Sequence, residues 1–358
     1  MSGPRTWPSL TALSALAAVL FTSAATALPS GKSVNTNRTQ ILFLGTAGGP
    51  PLRRDRSEPS ALLLVNGHLY LIDCGIGTAR RLVESGIASN QITTILFTHL
   101  HADHDMGLAD VMANDFFDGG GAGTAGPFNI YGPPQTKQLV NAAFKFISVG
   151  FEPFAAAPPT SYRKSGDTFV TPFIIHEIDH DGVVFDDGNV RVTAAENSHY
   201  VLIPAAARPG FKSYSYRVET PDGVIVFSGD TGPTGAISTI AKAADVLIAE
   251  ASYRDPKDLD QSISARAARN HWSSLVTNRF RDHFVSEHLD TPEIGQIAAK
   301  TGAKAVIIYH YDPADKADQQ AYVDGVKRHF AGPVFAPKDL DRYCMTSGRI
   351  SRCPTRSN

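Results

Sequence analysis

Residues 98–107 read THLHADHDMG, placing His99, His101, Asp103 and His104 within six positions directly after an apolar run. Four such side chains at the end of a buried strand gain nothing from packing and repel one another once protonated, so a structural role does not account for them. Three imidazoles and a carboxylate are, in contrast, the nitrogen and oxygen donors that zinc or a similar divalent ion takes. In extended backbone, residues two apart face the same way, so His99 and His101 can hold one ion. Asp103 and His104, at the turn into a helix, then project toward a second. Whatever this chain folds into must bring that strand end together with further donors from elsewhere.

The rest of the sequence supplies many more strand ends. Strand-length apolar runs appear as QILFLG at 40–45, ALLLV at 61–65, LYLID at 69–73 and TTILFTH at 93–99. They return as NVRVTAAE at 189–196, SYSYRVE at 213–219, GVIVFSGD at 223–230, DVLIAE at 245–250 and KAVIIYH at 304–310. A polar or ionisable residue closes most of them. Helical periodicity intervenes near 77–86, 134–147, 235–243, 262–285, 292–301 and 318–330, so strands and helices alternate and the expected class is α/β. The glycine-rich piece at 118–127 reads as a surface loop near the site; it lacks the lysine and following helix of a phosphate-cradling loop. No repeat and no internal boundary divides residues 40–340, and 42% hydrophobic residues in a chain of 358 are ample for one large core.

Arg5, the apolar stretch Leu10 to Phe21 and the small residues ending Ala25-Thr26-Ala27 have the three-part layout of a secretory signal peptide. The apolar part is too short to span a bilayer, which takes roughly 20 residues. The expected organisation is a signal peptide at 1–27, a linker at 28–39, a folded domain at 40–340 and a C-terminal tail at 341–358. The mature protein is expected to be periplasmic or secreted and free of the membrane. Of three cysteines, Cys344 and Cys353 are close enough in sequence to pair in an oxidising compartment, although spacing alone leaves the pairing open. Cys74, among apolar neighbours, reads as a buried, inert thiol. A net charge of −2 gives no basic face for nucleic acid. Neither composition nor pattern separates a monomer from a homo-oligomer.

HLHADH resembles the H-x-H-x-D-H signature of the metallo-β-lactamase superfamily. That resemblance implies a four-layer αββα sandwich, two mixed β-sheets flanked by helices, and two divalent metal ions, zinc being the expected one. In dinuclear members the remaining ligands follow from later strand ends: a histidine, a bridging aspartate and a final histidine. His199 in ENSHYV, Asp230 in FSGDTG and His310 in IIYHYD match in that order. The implied division puts His99, His101 and His199 on one ion and Asp103, His104 and His310 on the other. Asp230 is shared, because two neighbouring cations need an anion between them, and a hydroxide bridging both is the implied nucleophile. Taken alone, Asp230 would read as a strand-end residue capping the next helix.

Within the superfamily the chain is most similar to the ribonuclease Z and arylsulfatase branch. ILFLGTAGGPP and LYLIDCGIGTARRL resemble that branch's N-terminal hairpin, in which an aspartate matching Asp73 supports the metal ligands. Glu250 in LIAEASY and His288 in SEHLDTPEIG match a glutamate and histidine that deliver a proton to the leaving group, since an alkoxide leaves poorly unprotonated. Asp103, Glu250 and His288 are thus the candidate catalytic residues, Asp103 doubling as a ligand. Only 31 positions separate His199 from Asp230, too few for the long Gly- and Lys-rich arm with which that branch grips tRNA. A small phosphodiester or sulfate ester is the expected substrate. Hydrolysis of a carboxylic ester or lactone comes next, and an iron-dependent oxidoreductase on the same scaffold is a different class that the same donors would suit. Segments 111–133 and 253–287 are expected to wall the pocket, with Phe116, Phe117, Tyr253 and Trp272 as apolar lining or as ordinary core. His68, His176, His180 and His271 match no motif and read as structural.

Overall fold

Runs rich in Leu, Ile, Val and Phe, each bounded by turn residues, pack well on a pleated surface and become strands. The computed structural model of the chain describes residues 39–118, 128–156, 173–311 and 319–354. The signal peptide, the linker up to residue 38 and most of the glycine-rich piece lie outside the described residues.

Strands in chain order are β1 (Gln40–Gly45), β2 (Ser60–Val65), β3 (His68–Ile72), β4 (Thr94–Leu96) and β5 (Phe128–Gly132). There follow β6 (Phe173–Glu177), β7 (Gly182–Asp186), β8 (Arg191–Glu196), β9 (Tyr214–Thr220) and β10 (Gly223–Phe227). Last come β11 (Val246–Ala251), β12 (Ala305–Tyr311), β13 (Val334–Phe335), β14 (Arg342–Thr346) and β15 (Arg349–Arg352). Among the described residues they make two sheets, β15-β14-β1-β2-β3-β4-β5-β6 and β13-β12-β11-β10-β9-β8-β7. Both are mixed: β1 to β3 pair antiparallel and β3 to β6 parallel, while β7 to β10 pair antiparallel and β10 to β13 parallel.

The alternation of side chains across each strand lets the sheets bury apolar side chains on both faces. Ile41, Phe43, Leu63 and Tyr70 of one sheet meet Tyr216, Ile225, Phe227 and Ile307 of the other in a buried layer between them. On the outer face of the second sheet, Leu247, Ala249, Val306 and Ile308 pack with Ile237, Ile294, Tyr322 and Val326. Those last four belong to helices Gly235–Ile240, Thr291–Thr301 and Gln319–Lys327. This two-sided burial explains why β11 and β12 are apolar at successive positions rather than alternate ones. Helices Thr78–Glu84 and Thr136–Ala156 contact β1 and β6 of the first sheet. The result is the expected order of helix, sheet, sheet, helix, each fully buried Leu or Ile adding about 1.5–3 kcal/mol.

Two expectations are corrected. Residues 342–352 are not a trailing tail: β14 pairs with β1, Ile41 opposite Tyr343, and β15 closes the hairpin. Tyr343 and Met345 turn inward, and Cys344 is bonded to Cys353 with a Cα–Cα distance of 5.0 Å. The helical pattern at 262–285 is two helices, Pro256–Asn270 and Ser274–Glu287. The first ends where His271 takes a left-handed conformation (φ 54°), and the Ser273 side chain accepts from Val276 N to start the next. Cys74 is buried, and burial pushes its thiol far above the usual range.

Candidate metal centre

The functional side chains stand at the carboxyl ends of strands from both sheets. Asp73 follows β3, His99 to His104 follow β4, His199 follows β8 and Asp230 follows β10. Glu250 and His310 are the penultimate residues of β11 and β12. Asp73 and His310 take positive φ angles of 56° and 58°, a backbone cost of about 1–3 kcal/mol each that the packing around them must offset. For His310 the cause is visible in the ladder. Glu250 pairs with Tyr309 and Ala251 with Tyr311, so His310 is an extra residue bulged out of register, its side chain thrown toward the site.

All seven ligands expected from the sequence converge. Donor atoms of His99, His101 and His199 lie within 4.8 Å of one another, and so do those of Asp103, His104 and His310. Asp230 reaches both groups: its carboxylate is 4.0 Å from Nε2 of His99 and of His199, 3.5 Å from His104 Nε2 and 3.2 Å from His310 Nε2. Supporting bonds fix the rings. His104 Nδ1 is 2.9 Å from Asp73 Oδ2, while Thr98 N donates to Asp73 Oδ1 at 2.7 Å. His199 Nδ1 donates to the Glu287 carbonyl at 3.0 Å, leaving Nε2 facing inward. The Gly48–Gly49 segment closes over the cluster: Gly49 N donates to Asp103 Oδ2, and a Cβ on Gly48 or Gly49 would press into His310 or Asp103.

The two groups hold protons differently. Burial, with neighbouring imidazoles, pushes His99 well below the usual range; burial does the same to His199 and takes His101 down to about 4. Burial opposes the cation on His104 and His310 as well, but there the carboxylates win. Asp230, Asp73 and Asp103 hold His104 well above the usual range, and Asp230 with Asp103 raises His310 to about 10. Against the cost of burial, the same imidazoles hold Asp230 and Asp103 far below the usual carboxylate range.

Glu250 and His288 form the second feature. His288 Nδ1 is 3.1 Å from Glu250 Oε1, and Ser252 Oγ donates to Glu250 Oε2 at 2.7 Å. Glu250 is pinned further by Thr231 N and Leu289 N. Burial disfavours charged His288, yet Glu250 raises its pKa overall. His288 Nε2 lies 3.2 Å from Nε2 of His283, whose Nδ1 is 2.6 Å from Glu287. Sequence reasoning passed over both Ser252 and His283. The spacing of His283 and Glu287, one helical turn apart, was the available signal.

A cavity of about 720 Å³ opens onto the cluster, with His101, Asp103, Asp230, His288 and His310 at its floor. Gly48 to Pro51 line it too, as do Arg266, Arg269, Asn270, Trp272, Phe280 and Phe284. Of the apolar candidates, Trp272 borders the cavity. Tyr253 is buried in a separate cluster with Phe284, and Phe116 stacks edge-on against Phe151, so both are core; the Phe117 side chain lies outside the described residues.

Whether these residues fit a metal is decided by what their inner atoms lack. Nε2 of His99, His104 and His310 and Oδ1 of Asp230 are buried and make no hydrogen bond. An unpaired buried polar atom costs about 1–3 kcal/mol, and a divalent cation held among these four would pair them all at once. The donor set is nitrogen and oxygen, as a divalent ion of zinc type requires.

Comparison with known proteins agrees. The model of the β-lactamase superfamily domain matches residues 68–311. Ribonuclease Z of Mycobacterium sp. (strain KMS) is 28% identical over 292 residues, 79% of this chain and 87% of its own length. The metallo-β-lactamase fold protein YhfI from Bacillus subtilis superposes with a TM-score of 0.58 at 16% identity, covering 86% of this chain and 99% of that one. The human short-form tRNase Z gives 0.56 at 20% identity, over 85% and 98%. A fold of two strand-end-bearing sheets, a ligand cluster in the superfamily's order and a domain match over most of the chain lead to one conclusion: this protein belongs to the metallo-β-lactamase superfamily and is a metal-dependent hydrolase related to ribonuclease Z.

Proposed function

We propose that the chain is an exported hydrolase of small phosphodiesters that works with two divalent ions, zinc at both positions. His99, His101 and His199 hold one ion, Asp103, His104 and His310 the other, and Asp230 is shared. The observation that carries this is the place of Asp230, whose carboxylate lies within 4.0 Å of imidazoles from both groups. Such ions supply positive charge to an anionic ester and acidify water. The residues around them do the rest. Gly48 and Gly49 keep the floor tight around Asp103 and His310, and Asp73 orients His104. Water adds to phosphorus, the phosphorus–oxygen bond to the leaving group breaks, and His288, whose protonated form Glu250 favours, gives the departing oxygen its proton. The ribonuclease Z name of the relatives supports the phosphodiester class. The 31 positions between His199 and Asp230, with the net charge of −2, favour a small substrate over nucleic acid. The Cys344–Cys353 disulfide supports an oxidising compartment outside the cytoplasm.

The test is one panel on metal-replete protein: bis(4-nitrophenyl) phosphate, 4-nitrophenyl sulfate and an aliphatic lactone, with metal analysis. The expected outcome is two zinc ions per chain, turnover of the phosphodiester, and a fall in kcat/KM of about 10³-fold in Asp230→Ala. Turnover of the sulfate or lactone alone, or iron with oxygen consumption, would overturn the proposal.

A further inference from the structure

Glu250 by itself leaves the proton donor incomplete. Its carboxylate faces Nδ1 of His288 at 3.1 Å and accepts as well from Ser252 Oγ, Thr231 N and Leu289 N. A carboxylate in such company is an acceptor, so the hydrogen it fixes on His288 is the one at Nδ1. A neutral imidazole carries a single hydrogen, and this one is committed to a buried carboxylate. The hydrogen for a departing oxygen has to sit on the other nitrogen.

Nε2 of His288 lies 3.2 Å from Nε2 of His283. On the far side of that second ring, Nδ1 is 2.6 Å from Glu287 Oε2, while Glu287 Oε1 accepts from Leu202 N. Glu287 is buried and stands one helical turn from His283, so the helix Ser274–Glu287 itself sets this pairing. With the Nδ1 hydrogen of each ring given to a carboxylate, both Nε2 atoms would be bare, and two lone pairs facing at 3.2 Å repel. Only a further hydrogen between them turns the contact into a bond. Glu250, His288, His283 and Glu287 thus form one chain whose two ends accept and whose middle calls for the hydrogen that the reaction consumes. Both rings border the cavity, His288 buried and the His283 side chain 33% exposed.

We infer that His283, braced by Glu287, is a positioning residue that keeps the transferable hydrogen at Nε2 of His288. The inference rests on the phosphodiester reading, which supplies the departing oxygen. As the phosphorus–oxygen bond breaks, its electron pair stays on that oxygen, which takes the hydrogen from His288 Nε2, and the electrons of the N–H bond remain on the nitrogen. The two rings then face each other bare, and water reaching the partly exposed His283 returns a proton to the gap. The proton given up by the attacking water balances the cycle. The role counts most where the leaving oxygen is strongly basic, because a nitrophenolate departs without help and an alkoxide does not.

Steady-state kinetics on the zinc-loaded protein test this with two diesters of similar size and equal charge, dibenzyl phosphate and bis(4-nitrophenyl) phosphate. His283→Phe should lower kcat by about 10²-fold for the dibenzyl ester and by only about threefold for the nitrophenyl ester, with KM for each within about twofold. His283→Gln, whose amide oxygen offers an acceptor in place of Nε2, should recover at least about tenfold of the dibenzyl loss. Equal losses on the two substrates would make His283 plain scaffolding and overturn the inference, as would a glutamine variant no better than phenylalanine. Turnover of the nitrophenyl ester alone by the wild-type protein overturns it too, since no strongly basic oxygen would then be protonated. Failure with both esters sinks the phosphodiester reading, and this inference with it.

Discussion

His99, His101 and His199 meet as imidazoles alone, whereas His104 and His310 share their space with Asp103 and, through His104, with Asp73. Both groups are buried and both reach Asp230. Yet burial lowers the pKa of every imidazole in the first set, His101 to about 4, while carboxylates raise those of the second, His310 to about 10. Burial acts alike on all of them, so the difference is carboxylate count. If both proposed positions take an ion, they should differ in character: one that an ion enters with little proton displacement, and an acidic one where proton and metal compete.

Removing one ligand from each side is the hardest test of that comparison. His99→Ala and His310→Ala should each lower kcat/KM by about 10³-fold, and each should reduce bound zinc from two ions to one. Metal analysis alongside kinetics checks this. Loss of both ions from either variant would mean that the groups are not separable.

The pH dependence sharpens it. A raised imidazole pKa means the proton stays and competes, and here both His104 and His310 are raised, so affinity at their position should climb by at least about tenfold per pH unit between 6.5 and 9. A lowered pKa means the reverse: competition at His101 ends above about 4, and affinity there should be flat over the same range. Competition with a chromophoric chelator at several pH values reads both slopes, and parallel slopes would erase the contrast. The smallest effect is expected from Asp73→Asn, which weakens the orientation of His104 without removing a ligand. It should cost about tenfold in zinc affinity at the acidic position and leave the other within about twofold, again read by chelator competition.

The residues proposed to hold ions were the most legible part of the sequence. THLHADHDMG crowds four donors into one strand end, and His199, Asp230 and His310 each close an apolar run, so local pattern and ligand position coincide. Glu250 and His288 were readable through the resemblance to the ribonuclease Z branch, since His288 follows a helix and closes no strand. The cavity wall was not. Arg266, Arg269 and Phe280 sit in ordinary amphipathic helix, and nothing local reveals that the facing surface is the floor of a site. The break at His271 to Ser273 was similarly hidden, because periodicity continues on both sides of a cap. The C-terminal hairpin failed for a third reason: Tyr343 pairs with Ile41, some 300 residues earlier, and a five-residue strand has little pattern of its own.

The skipped register position in β12 has an evolutionary corollary. Because His310 is an inserted residue between Tyr309 and Tyr311, which keep their pairings with Glu250 and Ala251, its loss need not arise by substitution. A three-nucleotide deletion would splice the ladder into a smooth one and erase the ligand in one event. Among descendants of such a sheet, gain or loss of the acidic cation position would be written as a gap, and only register, not identity at an aligned column, would reveal which lineages had it.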